Sequence, residues 1–242
     1  MTELVGVGVG PGDPDLLTVA GVRAFTTAGR VFVPVLDPAT AGRAEAVVRA
    51  HVDHDRVERL VFALTDDVAG PQQRRREHWD AAAARVAEHL REQGGTAAFA
   101  TLGDPAVYST FSYLATTVRG LLPGVRVRTV PGITAMQAAA SAAGVVLVEG
   151  AEPLHLVPLA RDVTALRAAL EAGGTVVAYK GGRHLERVVE QVAAAGALDR
   201  AWCAEHLGTP DEVVRPLRDV DAASYLSTVV VLPERGGRGA QL

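Results

Sequence analysis

The sequence predicts an α/β protein made of two α/β domains, and three observations carry that expectation. Short apolar runs alternate with stretches of helical periodicity along the whole chain, the pattern of strands joined by crossover helices in a mainly parallel sheet. Several runs stop at Gly/Pro clusters, where a strand turns into a helix. The 242 residues amount to about 1.6 domains at roughly 150 residues each, and the pattern starts afresh after Pro123-Gly124, dividing the chain into 1–122 and 125–242.

Leu4 to Val9 reads as a buried strand stopped by the turn from Gly10 to Pro14. From Asp15 to Ala28 the apolar residues Leu16, Leu17, Val19, Ala20 and Ala24 are spaced as on a helix, with Asp13 or Asp15 as its cap. Val31 to Leu36 is a second strand, with Pro34 near its end. Ala39 to Ala50 is a helix, and Val57 to Leu64 a weaker strand. The polar stretch Thr65 to Gln73 leads into a long helix from Arg74 to Gln93. Trp79, Ala83, Val86 and Leu90 form its apolar stripe, and Gly94-Gly95 stops it. Thr96 to Leu102 is apolar enough for a strand covered on both faces. A helix from Val107 to Leu122 follows the turn at Gly103-Asp104-Pro105. Beyond Pro123-Gly124 come a strand from Val125 to Val130, the turn Pro131-Gly132 and an Ala-rich helix from Ile133 to Ala143. Strands at His155 to Leu159, Thr175 to Tyr179 and Ala201 to Glu205 alternate with helices at Val163 to Glu171 and Leu185 to Ala195. Val213 to Leu217 and Tyr225 to Leu232 have no helix between them, so they are expected to pair antiparallel and make the second sheet mixed. Gly236 to Leu242 reads as a frayed tail.

Composition narrows the function. Cys203 is the single cysteine, which rules out an intramolecular disulfide and a multi-cysteine zinc site. A net charge of -4 counts against nucleic acid as the main partner, because phosphate binding favours basic surfaces. No apolar run approaches the roughly 20 residues of a membrane span. Met1 to Gly6 has no basic segment ahead of an apolar stretch, so a cytoplasmic protein without a signal peptide is expected. The histidines show no metal-ligand spacing; His51 and His54 have no supporting carboxylate pattern. Ser109, Ser112 and Ser141 lack a nucleophile-elbow sequence, so neither a metal site nor a serine nucleophile is expected.

Ligands of open α/β sheets gather at the carboxyl ends of strands. Three Gly/Pro clusters lie there: Gly8 to Asp13, Leu102 to Pro105 and Val130 to Thr134. Glycine admits close backbone approach, and the helix that follows offers free N–H groups. The first cluster is not a dinucleotide fingerprint, because Gly8-Val9-Gly10 is followed by Pro11-Gly12-Asp13. Nor is it a phosphate loop, since no Gly-Lys-Ser/Thr follows. Asp104, where a buried strand becomes a helix, is either a cap or an acceptor for a ligand's amine or hydroxyl groups. Tyr108 and Ser109, one turn later, either face the same cleft or belong to a half-buried helix surface. Arg74, Arg75 and Arg76 open a helix, where the dipole favours anions. They are either a solvated helix start or a site for a polycarboxylate.

Taken in order, the segments Val5 to Thr18, Thr101 to Pro105 and Val130 to Thr134 resemble the tetrapyrrole (corrin/porphyrin) methylases, with a likeness running from Leu4 to about Leu232. The run Gly103 to Leu114 resembles the branch that methylates C20 of precorrin-2. So do Trp79 in the long helix, Tyr179-Lys180-Gly181-Gly182-Arg183 and the closing Tyr225 to Val231. Gly181 departs from that pattern, standing where a larger aliphatic residue is expected and loosening the ligand-facing wall. The resemblance implies a ligand cleft between the two domains, a homodimer, and S-adenosylmethionine as methyl donor with no metal required. It implies precorrin-2 as acceptor and precorrin-3A as product on the route to cobalamin, with a cobalt-containing substrate as the close alternative. It also implies donor contacts at Pro11, Gly103, Asp104, Tyr108, Ser109, Thr134, Ala135, Tyr179, Lys180, Ser227 and Thr228. The acceptor's acetate and propionate groups call for cations, with Arg74, Arg75, Arg76 and Arg183 as candidates and Asp13 as a further substrate contact. C20 must also lose a proton, to Asp104, a ring nitrogen or water.

Overall fold

The apolar runs of the N-terminal part assemble as a five-stranded, all-parallel sheet. Its strands are β1 (Glu3–Gly8), β2 (Arg30–Val35), β3 (Val57–Val61), β4 (Thr96–Thr101) and β5 (Arg126–Val130), in the order β3-β2-β4-β1-β5. The computed structural model describes residues 1–62 and 72–237. Residues 63–71, which hold the end of the expected third strand and most of the expected polar loop Thr65 to Gln73, lie outside the described residues, as do the side chains of Arg74 and Arg75 and 238–242 of the expected tail.

Strand alternation decides how the sheet is covered. Val5, Val7, Val31, Val33, Ala98 and Ala100 point to the face packed by α1 (Val19–Thr27) and α2 (Arg43–Arg49). Leu4, Phe32, Ala97 and Phe99 point to the face packed by α3 (Gln72–Gln93) and α4 (Phe111–Leu121). With both faces dry, β4 has no polar side to show. A fully buried ring such as Phe32 or Phe99 contributes about 1.5–3 kcal/mol.

Three helices begin four residues later than the periodicity predicts, at Val19, Arg43 and Phe111. Pro14–Leu16 is a separate 3-10 turn, capped by Asp13 Oδ1, which accepts the Asp15 N–H at 2.9 Å. Extended backbone at Leu17 and Thr18 interrupts it, and α1 then begins under Thr18 Oγ1, which accepts the Gly21 N–H at 3.0 Å. The second helix begins at Arg43 rather than Ala39. The helix expected from Val107 begins only at Phe111, because Tyr108 adopts a left-handed φ of 49°, which a right-handed helix cannot contain.

The expected boundary at Pro123-Gly124 falls inside the first unit. β5 follows that turn and pairs with β1 from Glu3↔Arg126 to Val7↔Val130, filling the sheet's open edge. The two compact units are accordingly 1–134 and 135–242.

The second unit holds β6 (Leu154–Pro158), β7 (Thr175–Tyr179), β8 (Ala201–Glu205), β9 (Val213–Pro216) and β10 (Thr228–Val231), in the order β6-β7-β10-β8-β9. β6 and β7 are parallel, and the other pairs antiparallel. The last two strands do not pair with each other, contrary to the sequence pattern. β10 is apolar on both faces and inserts between β7 and β8, whereas β9, with Arg215 and Pro216, takes the edge. α5 (Ala135–Ala143) packs on one face of this sheet. The other is packed by α6 (Thr164–Glu171) and α7 (Leu185–Ala194). Cys203 lies in the α6/α7 core, where burial pushes its thiol up to about 12, so it is inert at neutral pH.

Three backbones cross at the carboxyl ends of β1, β4 and β5. Gly103, with a φ of 69°, donates its N–H to the Gly10 carbonyl at 2.7 Å and accepts the Gly10 N–H at 3.3 Å. A Cβ on Gly8 would lie 2.5 Å from the Gly103 carbonyl oxygen and 2.7 Å from the Gly132 nitrogen. A Cβ on Gly132 would collide with that same carbonyl and lie 2.7 Å from the Gly8 carbonyl carbon. One residue pair back along β1, the Phe111 ring lies directly over Gly6, so α4 rests on bare backbone.

One charge is fully buried beside the same sheet. Glu45 on α2 is 0% exposed and accepts from Arg49 Nε at 2.6 Å and Arg59 Nε at 2.7 Å. Arg59 also donates to the Pro38 carbonyl at 2.7 Å, tying α2, β3 and the loop before α2 together. Burial is the largest single influence and pushes the carboxyl up. The hydrogen bonds and charges of Arg59 and Arg49 together outweigh it and hold the group below its ordinary 4.5.

Two outcomes follow from this packing. Gly132→Ala has only backbone to push against and should cost about 1–3 kcal/mol or more, read as a lower urea midpoint at unchanged m-value. Glu45→Ala should cost about 1–3 kcal/mol at pH 7. Because the folded carboxyl is depressed, the wild-type advantage is present above about pH 4.5 and is lost as pH falls through the folded value. Thermal melts of both proteins from pH 7 to pH 3 should therefore converge at the acid end; a gap independent of pH would refute the ion-pair account.

Candidate active site

In the first unit most of the candidate residues lie on the loop after β4. Asp104 Oδ1 accepts the Ala106 N–H at 2.7 Å, and Oδ2 accepts the Gly132 N–H at 2.9 Å. One carboxylate thus closes its own turn and binds the loop after β5, coupling two of the three glycine motifs. Ser109 Oγ stands 2.8 Å from Thr101 Oγ1 and accepts the Phe111 N–H at 3.1 Å, fixing the start of α4. Between these anchors Tyr108 is held in its left-handed conformation, 46% exposed. Burial of the phenol raises its pKa, so the hydroxyl is protonated at neutral pH. Pro11 is buried, and Asp13 is engaged in the 3-10 cap described above.

In the second unit the carboxyl ends of β7 and β8 lie beside the amino end of β10, with Thr228 in register with both Tyr179 and Ala204. Lys180 and His206, immediately after β7 and β8, have left-handed φ values of 63° and 50°. Together with Tyr108 they are the only non-glycine residues of positive φ among the described residues, and all three follow the carboxyl end of a strand. Such backbone costs of order 1–3 kcal/mol per residue and marks functional loops. Ser227 and Thr228 are each 1% exposed, and their hydroxyls, with that of Ser224, have no hydrogen-bond partner among the described residues. Buried unpaired hydroxyls are costly and call for an occupant of matching polarity. A polar ligand such as S-adenosylmethionine, with ribose hydroxyls and an adenine edge, fits that requirement.

The remaining candidates are placed as follows. Thr134 is buried, and Ala135 opens α5. The Arg183 guanidinium carbon sits 4.7 Å from the centre of the Tyr225 ring, a cation–π arrangement, and Arg76 is exposed on α3. Gly181 does not face a ligand wall: a Cβ there would meet Leu159 at 3.4 Å and Val188 at 3.7 Å, both in the core. His51 Nε2 contacts the Pro14 carbonyl at 3.1 Å. Among the described residues no group of three or more His, Cys, Asp or Glu is gathered that could hold a metal ion. Sequence reasoning missed His206 and Glu205. A buried Glu closing an otherwise apolar strand was the available signal for the latter, whereas nothing in sequence marks a left-handed histidine.

Residues 3–221 match the model of the Tetrapyrrole (Corrin/Porphyrin) Methylases. A precorrin-2 C(20)-methyltransferase from a Sinorhizobium species is 33% identical over 95% of this chain and 94% of its own length. A probable cobalt-precorrin-2 C(20)-methyltransferase from Methanocaldococcus jannaschii is 34% identical over 66% of either chain. Among solved structures, the uroporphyrin-III C-methyl transferase from Thermus thermophilus, complexed with S-adenyl homocysteine, shares the fold. Its TM-score is 0.64 at 21% identity, over 95% of this chain and 96% of that one. No helix among the described residues is long and apolar enough to cross a membrane. With the family model spanning most of the chain and a relative of one-third identity along nearly all of it, this chain belongs to the tetrapyrrole (corrin/porphyrin) methylases.

Proposed function

We propose that this chain transfers a methyl group from S-adenosylmethionine to C20 of precorrin-2, giving precorrin-3A and S-adenosylhomocysteine in cobalamin biosynthesis. The observation that carries the reading is the near full-length likeness to the Sinorhizobium precorrin-2 enzyme. The partnerless buried hydroxyls of Ser227 and Thr228 support it from within the fold. A cobalt-containing acceptor is the second reading, favoured by the Methanocaldococcus relative.

When bound, S-adenosylmethionine supplies an electrophilic sulfonium methyl, and C20 gains that methyl and gives up a proton. The protein's task is therefore to hold and orient. Ser227 and Thr228 hydroxyls pair with the donor's polar groups, with Thr134, Ala135, Tyr179 and Lys180 as further contacts of that half. Pro11, Gly103, Tyr108 and Ser109 serve the donor from the first unit. Asp104 acts in this reading as a positioning residue, its oxygens accepting the Ala106 and Gly132 N–H groups. The C20 proton leaves to Asp104, to a ring nitrogen or to water. Acceptor carboxylates are ionised at neutral pH, and Arg76, Arg183, Arg74 and Arg75 stay charged to meet them. The reading includes a cytoplasmic location, as the composition leads one to expect, and a homodimer, for which the family resemblance is the support; light scattering checks the assembly.

Two measurements test the proposal. Anaerobic incubation with methyl-labelled donor and precorrin-2 should give a product one methyl heavier, with the label at C20 by NMR. Methylation at another carbon, or turnover of the cobalt-containing acceptor alone, would displace the first reading. Asp104→Ala should fold, yet raise the donor KM and lower kcat/KM about tenfold or more, since two hydrogen bonds to a charged group are lost. Wild-type kinetics in that variant would remove Asp104 from the site.

A further inference from the structure

We infer that Glu205 is a positioning residue that sets the donor-binding turn 222–227, an inference that rests on the donor reading above. β8 is apolar up to its last residue, yet it ends in a carboxylate only 8% exposed. A carboxylate is retained in such a place only where its oxygens are bonded. Glu205 Oε1 accepts the Ser224 N–H at 2.5 Å. Oε2 stands 3.5 Å from Arg215 Nη2, which lies 3.5 Å from the Ala222 carbonyl as well. Strand β8 and its neighbour β9 thus hold the start of the turn through one short bond and one long ion pair.

The rest of the turn is fixed from β7. The Ser227 N–H donates to the Ser224 carbonyl at 3.0 Å, and the Lys180 N–H donates to the Ser227 carbonyl at 3.1 Å. Gly182 approaches the Ala223 and Ser224 carbonyls so closely that any Cβ would collide with them. All of these contacts are made by the protein itself, and the turn they define delivers Ser227 and Thr228 with buried, unpaired hydroxyls. A site whose polar groups are held in place beforehand loses less on binding. The short contact identifies which property of Glu205 matters. The acceptor oxygen that reaches Ser224 does the positioning, and the charge facing the distant Arg215 is secondary.

That distinction makes the inference testable with Glu205→Gln, Glu205→Asp and Glu205→Ala. Gln keeps an acceptor oxygen at the same reach without the charge, whereas Asp keeps the charge but falls one methylene short. Calorimetric titration of S-adenosylhomocysteine should give a Kd within about threefold of wild type for Gln and about tenfold weaker for Asp and Ala. The donor KM should follow, while the KM for the tetrapyrrole stays put. If Ala fails to fold, the Gln–Asp pair carries the test. An Asp variant that binds as wild type does, or a Gln variant as weak as Asp, overturns the inference. A wild-type protein that does not bind S-adenosylhomocysteine at all overturns the donor reading and the inference with it. Wild-type binding combined with an unaffected Asp variant removes Glu205 alone.

Discussion

Side chains are excluded where β1, β4 and β5 end, and the first unit is organised around that exclusion. Gly8 and Gly132 bring two backbones onto the Gly103 carbonyl with no room for a Cβ on either. Asp104 then spans the crossing, with one oxygen on its own turn and the other on the Gly132 N–H. The three glycine motifs are therefore one mechanical unit. None of them is a phosphate cradle or a dinucleotide turn, and a local reading of any one of them finds only a capped strand-to-helix junction. Close backbone approach is what lets a sheet edge present its polar backbone and short side chains without a barrier of side chains in front of it.

The second unit reaches a comparable end by other means. Its mixed sheet places the amino end of β10 between the carboxyl ends of β7 and β8, so polar groups of opposite strand direction meet on one edge. Two left-handed residues, Lys180 and His206, turn the chain away there at an energetic cost. The buried hydroxyls of Ser227 and Thr228 add a second cost that no group among the described residues relieves. Destabilising features concentrated on one edge, above a core of Val, Ala and Leu that is otherwise well satisfied, are what a binding surface requires. A ligand that supplies the missing partners recovers part of that free energy as affinity.

Buried charge in this protein is structural wherever its partners are in view. Glu45 joins α2 to β3 through Arg49 and Arg59, and Glu152, 4% exposed on its side chain, is gripped by Arg235 at 2.7 Å from the C-terminal segment. Arg235 also donates to the Val146 and Leu147 carbonyls, pinning the loop after α5. Such pairs contribute little net stability when compared with apolar replacements, but breaking one leaves a charge stranded. They fix where loops lie, which is the same use the protein makes of Asp104 in the first unit and Glu205 in the second.

The sequence alone was enough to determine the element order, the α/β class and the positions of the glycine motifs. These depend on local hydrophobic period and on turn chemistry, which neighbouring residues carry between them. The family likeness added the family itself, because three motifs in fixed order are more specific than any one. Only the tertiary structure decided which strand pairs with which. β5 belongs to the first sheet although a strong turn precedes it, and β10 lies between β7 and β8 rather than against β9. Pairing depends on which edge remains open and on how many faces of a strand must be buried, quantities no local window contains. The same holds for the backbone outliers and for Asp104. A left-handed Tyr108, and a carboxylate whose second oxygen reaches an N–H 28 residues away, are set by contacts between segments distant in sequence.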